Sequence, residues 1–202
     1  MSCGFVEQNR RIQTAIYHAL SKESLIVAAA GNEGATGDWR WPAREINVLG
    51  MTAAHGGGDK YAGNPTPIQG SQSFSILGCA VTGYGRASQY PTATKIPRSG
   101  TSQATAVATA VAAITMQILQ DCEEHIKKGS GEDAYDQTRR ALRTRSGMSA
   151  VFQHMASPSQ ARDGYLFVRP WVIANGAPGD QQMRARHVAQ NLVSWCGPGS
   201  SL

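Results

Sequence analysis

The sequence predicts an α/β fold built on a mostly parallel sheet, and three stretches carry that prediction. In residues 12–20, Ile12, Ala15, Ile16, Ala19 and Leu20 follow the i, i+3, i+4, i+7, i+8 spacing of one helical face. Residues 25–30 form an unbroken apolar run that stops at Gly31-Asn32-Glu33-Gly34, the pattern of a buried strand entering a turn. A helix laid on such a strand is half of a βαβ unit, and those units build parallel sheets. Residues 101–120 carry no charge and include Ala104, Ala106, Ala108, Ala110, Ala112 and Ala113. Such a slim, neutral segment predicts a long helix packed closely on all sides.

The 202 residues, 41% of them hydrophobic, suffice for one good core, so one domain is expected. The formal charge is +5 and the pI about 9.2, but charged residues make up only 16% of the chain, too few for a dedicated polyanion binder. Cys3, Cys79, Cys122 and Cys196 show neither CxxC nor metal-ligand spacing, and nothing implies a cofactor or metal. Cys3 and Cys79 lie in or beside apolar runs and read as small buried hydrophobes. No basic region followed by an apolar stretch opens the sequence, so no signal peptide is visible; localisation stays open, with an intracellular lean.

In chain order, residues 1–5 are short and apolar, and read either as an extended edge or as a frayed terminus. Ser21-Lys22-Glu23-Ser24 ends the first helix. Trp39-Arg40-Trp41-Pro42 reads as a loop whose aromatics plug a gap, and residues 46–53 as a second strand. His55 and Asp59 fall in a flexible Gly-rich connection, where a solvated histidine is the better reading than a metal ligand or a dyad. Residues 61–73 are a Pro- and Gly-rich surface loop, residues 74–82 give one or two short strands, and residues 86–98 return the chain to the long helix. Beyond Gln120 the composition turns charged, with Gly129-Ser130-Gly131 as a breaker and a basic helix over 134–146 bearing Arg139, Arg140, Arg143 and Arg145. Those arginines read as a solvated face, not a nucleic-acid site. Met148, Val151, Phe152 and Met155 form a docking stripe at helical spacing. Residues 165–168 suggest a strand, Met183, Val188, Leu192 and Val193 a weak terminal helix, and the Gly-Pro-Gly-Ser-Ser end a loose tail.

The chemistry concentrates at Ser99-Gly100-Thr101-Ser102, where the long helix begins. A serine at the positive end of a helix, beside free backbone N–H groups, suits nucleophilic attack, because negative charge develops on the neighbouring substrate oxygen. On these residues alone two other readings stand: an ordinary Ser/Thr cap on a core helix, and a membrane span. Thr105, Thr109, Thr115, Gln117 and Gln120 weigh against lipid.

Ser99-Gly100-Thr101-Ser102-Gln103-Ala104-Thr105, taken with Ala29-Ala30-Gly31-Asn32, resembles the subtilisin family of serine proteases, whose nucleophile motif reads SGTSMATP and whose AAGN stretch supplies an oxyanion-hole asparagine. Met1-Ser2-Cys3-Gly4, Trp41-Pro42-Ala43 leading to Val48-Leu49-Gly50, and Phe74-Ser75 followed by Gly78 match further, all in the family's order. The resemblance implies a sheet with helices on both faces, a peptide or protein substrate, Ser102 as nucleophile and Asn32 as oxyanion donor. It also implies substrate contacts at Ser2, Cys3, Gly4, Ala30 and Gly31. Gly4 would leave room for a substrate side chain, Gly31 and Gly34 would serve tight turning and close approach, and Trp39 or Trp41 could line the pocket for the residue before the cut bond. By the same likeness residues 1–120 correspond to the C-terminal half of the catalytic domain, and 121–202 to an extension packed on the same domain. Gln103 stands for the usual Met, Ala106 for the usual Pro, and Gly83-Tyr84-Gly85 only loosely matches the usual Ala-Pro-Gly.

A serine hydroxyl needs a base to take its proton, normally a histidine oriented by a carboxylate. In subtilisins both partners precede the cleft strand, and none of His18, His55, His125, His154 or His187 sits in a matching motif. The expectation is a sheet incomplete on its N-terminal side, with an open edge that leaves the chain marginally stable or prone to aggregate. The Asp and His would come from elsewhere, such as a missing N-terminal half, with little activity in these residues alone. The alternative is a non-catalytic peptide-binding module derived from a protease; neither nucleic acid nor membrane is an expected partner.

Overall fold

The computed structural model describes residues 1–84, 95–156, 163–175, 177 and 179–197. In chain order its elements are α1 (Arg10–Ser21), β1 (Val27–Ala29), β2 (Leu49–Ala54), β3 (Phe74–Leu77), β4 (Val81–Tyr84), β5 (Lys95–Arg98), α2 (Thr101–Asp121), α3 (Glu123–Ser130), α4 (Glu132–Ala141), α5 (Arg145–Met155), β6 (Leu166–Phe167) and α6 (Gln181–Cys196). A 3-10 turn, Pro170–Ala174, links the last two.

The main sheet runs β1-β2-β3-β6 with every pairing parallel, in the register Val27↔Leu49, Met51↔Phe74 and Phe74↔Leu166. Strand alternation sends one set of side chains to each face. Val27, Leu49, Met51, Ala53, Phe74 and Ile76 join the larger core, with Ala104, Ala108 and Ala112 of α2. Ala28 and Ala30 join a second core, with Ile16 of α1 and with Trp39, Trp41 and Val48. Helices therefore stand on both faces of the sheet, as expected. β4 and β5 form a separate antiparallel pair.

α1 begins where Asn9 caps it, its side chain accepting from the N–H groups of Arg11 and Ile12. Ile16 is buried and Ile12 and Leu20 pack against its cluster, while Ala15 faces solvent. The strands are shorter than the apolar runs that announce them: Leu25 and Ile26 precede β1, and Ile46 is 76% exposed ahead of β2. Asn64 is buried in what reads as a surface loop, because its carboxamide accepts from Ala53 N–H at 2.9 Å and donates to Ala53 O at 2.7 Å, clamping β2.

Three expectations need correction. α2 is not buried all round: Thr101, Ala104, Thr105, Ala108, Ala112, Thr115 and Leu119 form one buried stripe, while Ala106, Ala110, Ala113 and Ile114 on the other side face solvent. It is long and apolar enough to span a bilayer, yet the buried stripe packs on β1, β2 and β3. The basic helix over 134–146 is two helices. Thr144 caps the second by accepting from Gly147 N–H, and a Cβ on Gly147 would overlap the Ala141 carbonyl, so the chain folds back tightly there. Cys3 is exposed, not buried; Cys79, Cys122 and Cys196 are buried, and all four thiols are free.

β1 also has a neighbour on its outer side: Ala29 N–H donates to Met1 O at 3.1 Å, and the Met1 ammonium donates to Val27 O. That edge, expected bare, is partly satisfied by the chain's own first residues. The stripe Met148, Val151, Phe152 and Met155 is fully buried, with Phe152 edge-on to Phe74 at 5.9 Å between ring centroids. Of the expected return over 86–98, residues 95–98 form β5 and the rest lies outside the described residues, as do Gly85 and the tail from 198 onward.

Candidate active site

The two stretches singled out in the sequence meet at the carboxyl ends of the parallel strands, where open α/β sheets gather ligands. Residues 31–34 leave β1, and α2 starts at Thr101 with Gly100 as its cap residue, so no side chain caps the helix. Ser102 is thus not a cap; it sits on the first turn, where backbone N–H groups have no helical acceptor.

Asn32 and Thr101 lock the two stretches together. Thr101 N–H donates to Asn32 Oδ1 at 2.9 Å, and Gly31 N–H donates to Thr101 Oγ1 at 3.2 Å. The first bond settles which end of the carboxamide is which: Oδ1 must face a donor, so the NH2 group is the end left to donate. Gly31 (φ +120°) and Gly100 (φ +148°) hold backbone conformations that L side chains rarely adopt, and a Cβ on Gly100 would lie 3.0 Å from Asn32 Oδ1. Ser102 Oγ donates to Ser2 O at 2.7 Å, and Ser2 Oγ returns a bond to Ser102 O at 3.2 Å. Residues 1–4 are thereby tied to the start of α2.

Around these groups lies an open cleft of about 390 Å³, lined by Ser2, Cys3, Gly4, Gly31, Asn32 and Ser102 along with Arg40 and Glu33. Of the residues expected to touch substrate, Ala30 alone is not on its wall. Ala30 is wholly buried, its N–H donates to Met51 O and its carbonyl accepts from Arg40 N–H, so the neighbouring Ala29 lines the cleft instead.

Neither Trp39 nor Trp41 reaches the cleft. Trp39 donates its Nε1–H to Thr66 O and Trp41 to Glu45 Oε1, both from within the second core. Trp41 pairs antiparallel with Phe5, and in extended chain alternate side chains face opposite ways. Burying both tryptophans therefore turns Arg40 into the cleft. The Trp39-Arg40-Trp41 alternation was the sequence signal for this, and it pointed to the charged residue between the aromatics.

Arg40 Nη2 pairs with Glu33 Oε1 at 2.9 Å. Hydrogen bonding from Arg40, and then from Asn32 N–H, holds the Glu33 carboxyl below its ordinary range. The space beside Gly4 is not free for a ligand, since a Cβ there would lie 2.5 Å from Arg40 Cβ. None of the five histidines lines the cleft: His154 stacks on Trp195 at 4.3 Å and His125 faces Gln190, both far along the chain. Among the described residues no group of three His, Cys, Asp or Glu side chains forms a metal site.

A sequence model of the Subtilase family matches residues 1–147. Thermitase from Thermoactinomyces vulgaris is 33% identical over 105 residues, covering 52% of this chain and 35% of that protein. Among solved structures, the prenylagaramide maturation protease PagA is 21% identical with a TM-score of 0.58, covering 93% of this chain and 60% of that one. The patellamide maturation protease PatA is also 21% identical with a TM-score of 0.58, covering 95% and 62%. The chain thus spans about a third of the Thermitase sequence and about three-fifths of each structure, whose likeness extends to the fold.

Proposed function

The chain belongs to the subtilase family, and on that premise we propose that it carries the nucleophile and oxyanion hole of a serine-type endopeptidase acting on peptide or protein substrates. Ser102 Oγ attacks the carbonyl carbon of the scissile bond. The oxygen that becomes negative is met by two donors, the Ser102 N–H at the start of α2 and the Asn32 NH2 group. Ser2, Cys3, Gly4, Ala29 and Gly31 form the wall along which an extended peptide lies. The convergence of Asn32 and Ser102 through Thr101 is the observation that carries this reading.

The Ser102 proton points to the Ser2 carbonyl, which is no base. The base, and the carboxylate that orients it, come from outside these 202 residues, and the residues alone turn over little substrate. We read residues 121–202 as an appendage on the same domain, a reading supported by the place of β6 in the main sheet and of α5 and α6 in the larger core.

A fluorophosphonate probe tests the proposal on the intact gene product. Labelling at Ser102 that disappears in Ser102→Ala is the expected result; no labelling, or labelling at another residue, overturns it. The absence of a histidine from the cleft favours a second reading, a peptide-binding module without catalysis. That reading gives no labelling, but peptide binding that weakens when Gly31 is replaced by a bulky residue.

A further inference from the structure

Arg40 occupies the slot that the two cleft glycines leave open. A Cβ on Gly4 would lie 2.5 Å from Arg40 Cβ, and one on Gly31 would lie 2.9 Å from Arg40 Cγ. The methylene stem is therefore sandwiched between the backbone of the chain start and the turn after β1, and only glycine at both places admits it. The guanidinium emerges beside Glu33, with the arginine side chain 25% exposed and the glutamate 46% exposed. A substrate side chain directed at this filled slot meets the cation at its mouth.

Three classes of side chain respond differently. A large apolar one finds its volume already taken by the stem, and would strip water from a fixed charge without replacing the lost hydrogen bonds. A basic one brings like charge to a group that does not deprotonate. A carboxylate finds donors: a guanidinium carries five N–H groups in a planar fork, more than the single Glu33 oxygen uses, and carboxylates accept from that fork in pairs. Glu33 is the more exposed partner and can yield toward solvent, whereas the stem of Arg40 is held on both sides.

We propose that Arg40 is the specificity-determining residue of this cleft, selecting peptides that present a glutamate or aspartate side chain to its guanidinium at the mouth of the slot its stem fills. The selection rests on the reading of the cleft as a peptide site, and it assigns the substrate class that reading leaves open.

Binding, not turnover, tests it. Hexapeptides Ac-Ala-Ala-Ala-X-Ala-Ala with X as Glu, Gln, Leu, Lys or Ala are titrated into the Ser102→Ala chain, followed by ligand-observed NMR. The Glu peptide should bind about tenfold more tightly than the Leu peptide, with the gap narrowing as salt rises. Arg40→Gln keeps most of the stem and should erase the Glu preference, and Arg40→Gly should turn it toward Leu; a thermal melt identifies any variant that fails to fold. Glu33→Gln should leave the Glu preference in place or enlarge it. Leu, Lys or Ala peptides binding as tightly as Glu, or a Glu preference that survives in folded Arg40→Gln, overturns the assignment of Arg40 alone. Binding of no peptide at millimolar concentration overturns the peptide-cleft reading and the assignment with it.

Discussion

Thr101 N–H and Asn32 Oδ1 lie 2.9 Å apart, although 69 residues of sequence separate them. The bond fastens one end of the Asn32 carboxamide, and with it the turn after β1, to the start of α2, while the proposed function gives the NH2 end a second duty as donor to the substrate oxygen. Substitutions can part the two duties. Asn32→Ala leaves a part-buried N–H without its acceptor and should cost about 1 kcal/mol of stability, read from thermal melts. Asn32→Asp keeps an acceptor for Thr101 and should melt close to the parent. In the intact gene product both changes remove the NH2 group, and both should slow fluorophosphonate labelling of Ser102 by about a hundredfold or more. An Asp variant that labels as fast as the parent would make Asn32 a clamp only.

Gly78 sits where β3 hands the chain on toward the front of α2. A Cβ there would fall 2.7 Å from Ala53 Cβ and 2.8 Å from Ala104 Cβ, and the Gly78 carbonyl accepts from Gly100 N–H at 2.9 Å. Gly78→Ala should therefore push α2 away from β2 and destabilise by about 1–3 kcal/mol. Because Ser102 rides on that end of α2, its labelling should fall as well. An Ala variant with parental melting and parental labelling would refute the tight contact.

Cys3 is the exposed thiol and lines the cleft, whereas Cys79, Cys122 and Cys196 are buried. Burial raises the Cys79 and Cys122 thiols and pushes Cys196 up to about 11. At pH 8 a thiol near 11 is ionised to about one part in a thousand, too little to react quickly. A disulfide reagent should then modify one thiol rapidly in the folded chain, with the fast phase lost in Cys3→Ser and slowed by bound peptide. Rapid modification of a buried cysteine, or no protection by saturating peptide, counts against this arrangement.

Glu33 titrates below its ordinary value of 4.5, chiefly because Arg40 hydrogen-bonds its carboxylate. The unfolded chain takes up this proton first as pH falls, so the ion pair contributes fully above the ordinary carboxylate value and is lost as pH drops through the lowered one. Carboxyl-resolved NMR should show a Glu33 midpoint below that of free glutamate, moving back up in Arg40→Gln. An unchanged midpoint in that variant would mean Arg40 is not the cause.

The architecture was legible where periodicity is strong. Ile12, Ile16 and Leu20 announced α1, the run before Gly31 announced β1, and the neutral alanine-rich stretch announced α2, because each pattern reflects burial that any compatible fold must supply. The meeting of Asn32 and Ser102 followed from two short motifs whose family order is known. What sequence could not show was facing. That α2 keeps one side in solvent depends on what packs against it, and that Asn64 is buried depends on a clamp to Ala53. Arg40 belongs to no motif, and its place in the cleft follows only from the burial of Trp39 and Trp41 on either side, which turns outward the one residue that could not be buried.

The short strand β6 has a consequence for how the chain reaches its native form. Leu166 and Phe167 pair with Phe74 and Ser75, more than ninety positions earlier. During synthesis β3 emerges and begins to collapse onto β2 with its other border still unzipped, because its partner at residues 166–167 follows only later. Pairings over such sequence distances form slowly, and an unzipped border invites other chains meanwhile. Yield during synthesis should accordingly hinge on how soon residues 166–167 follow β3.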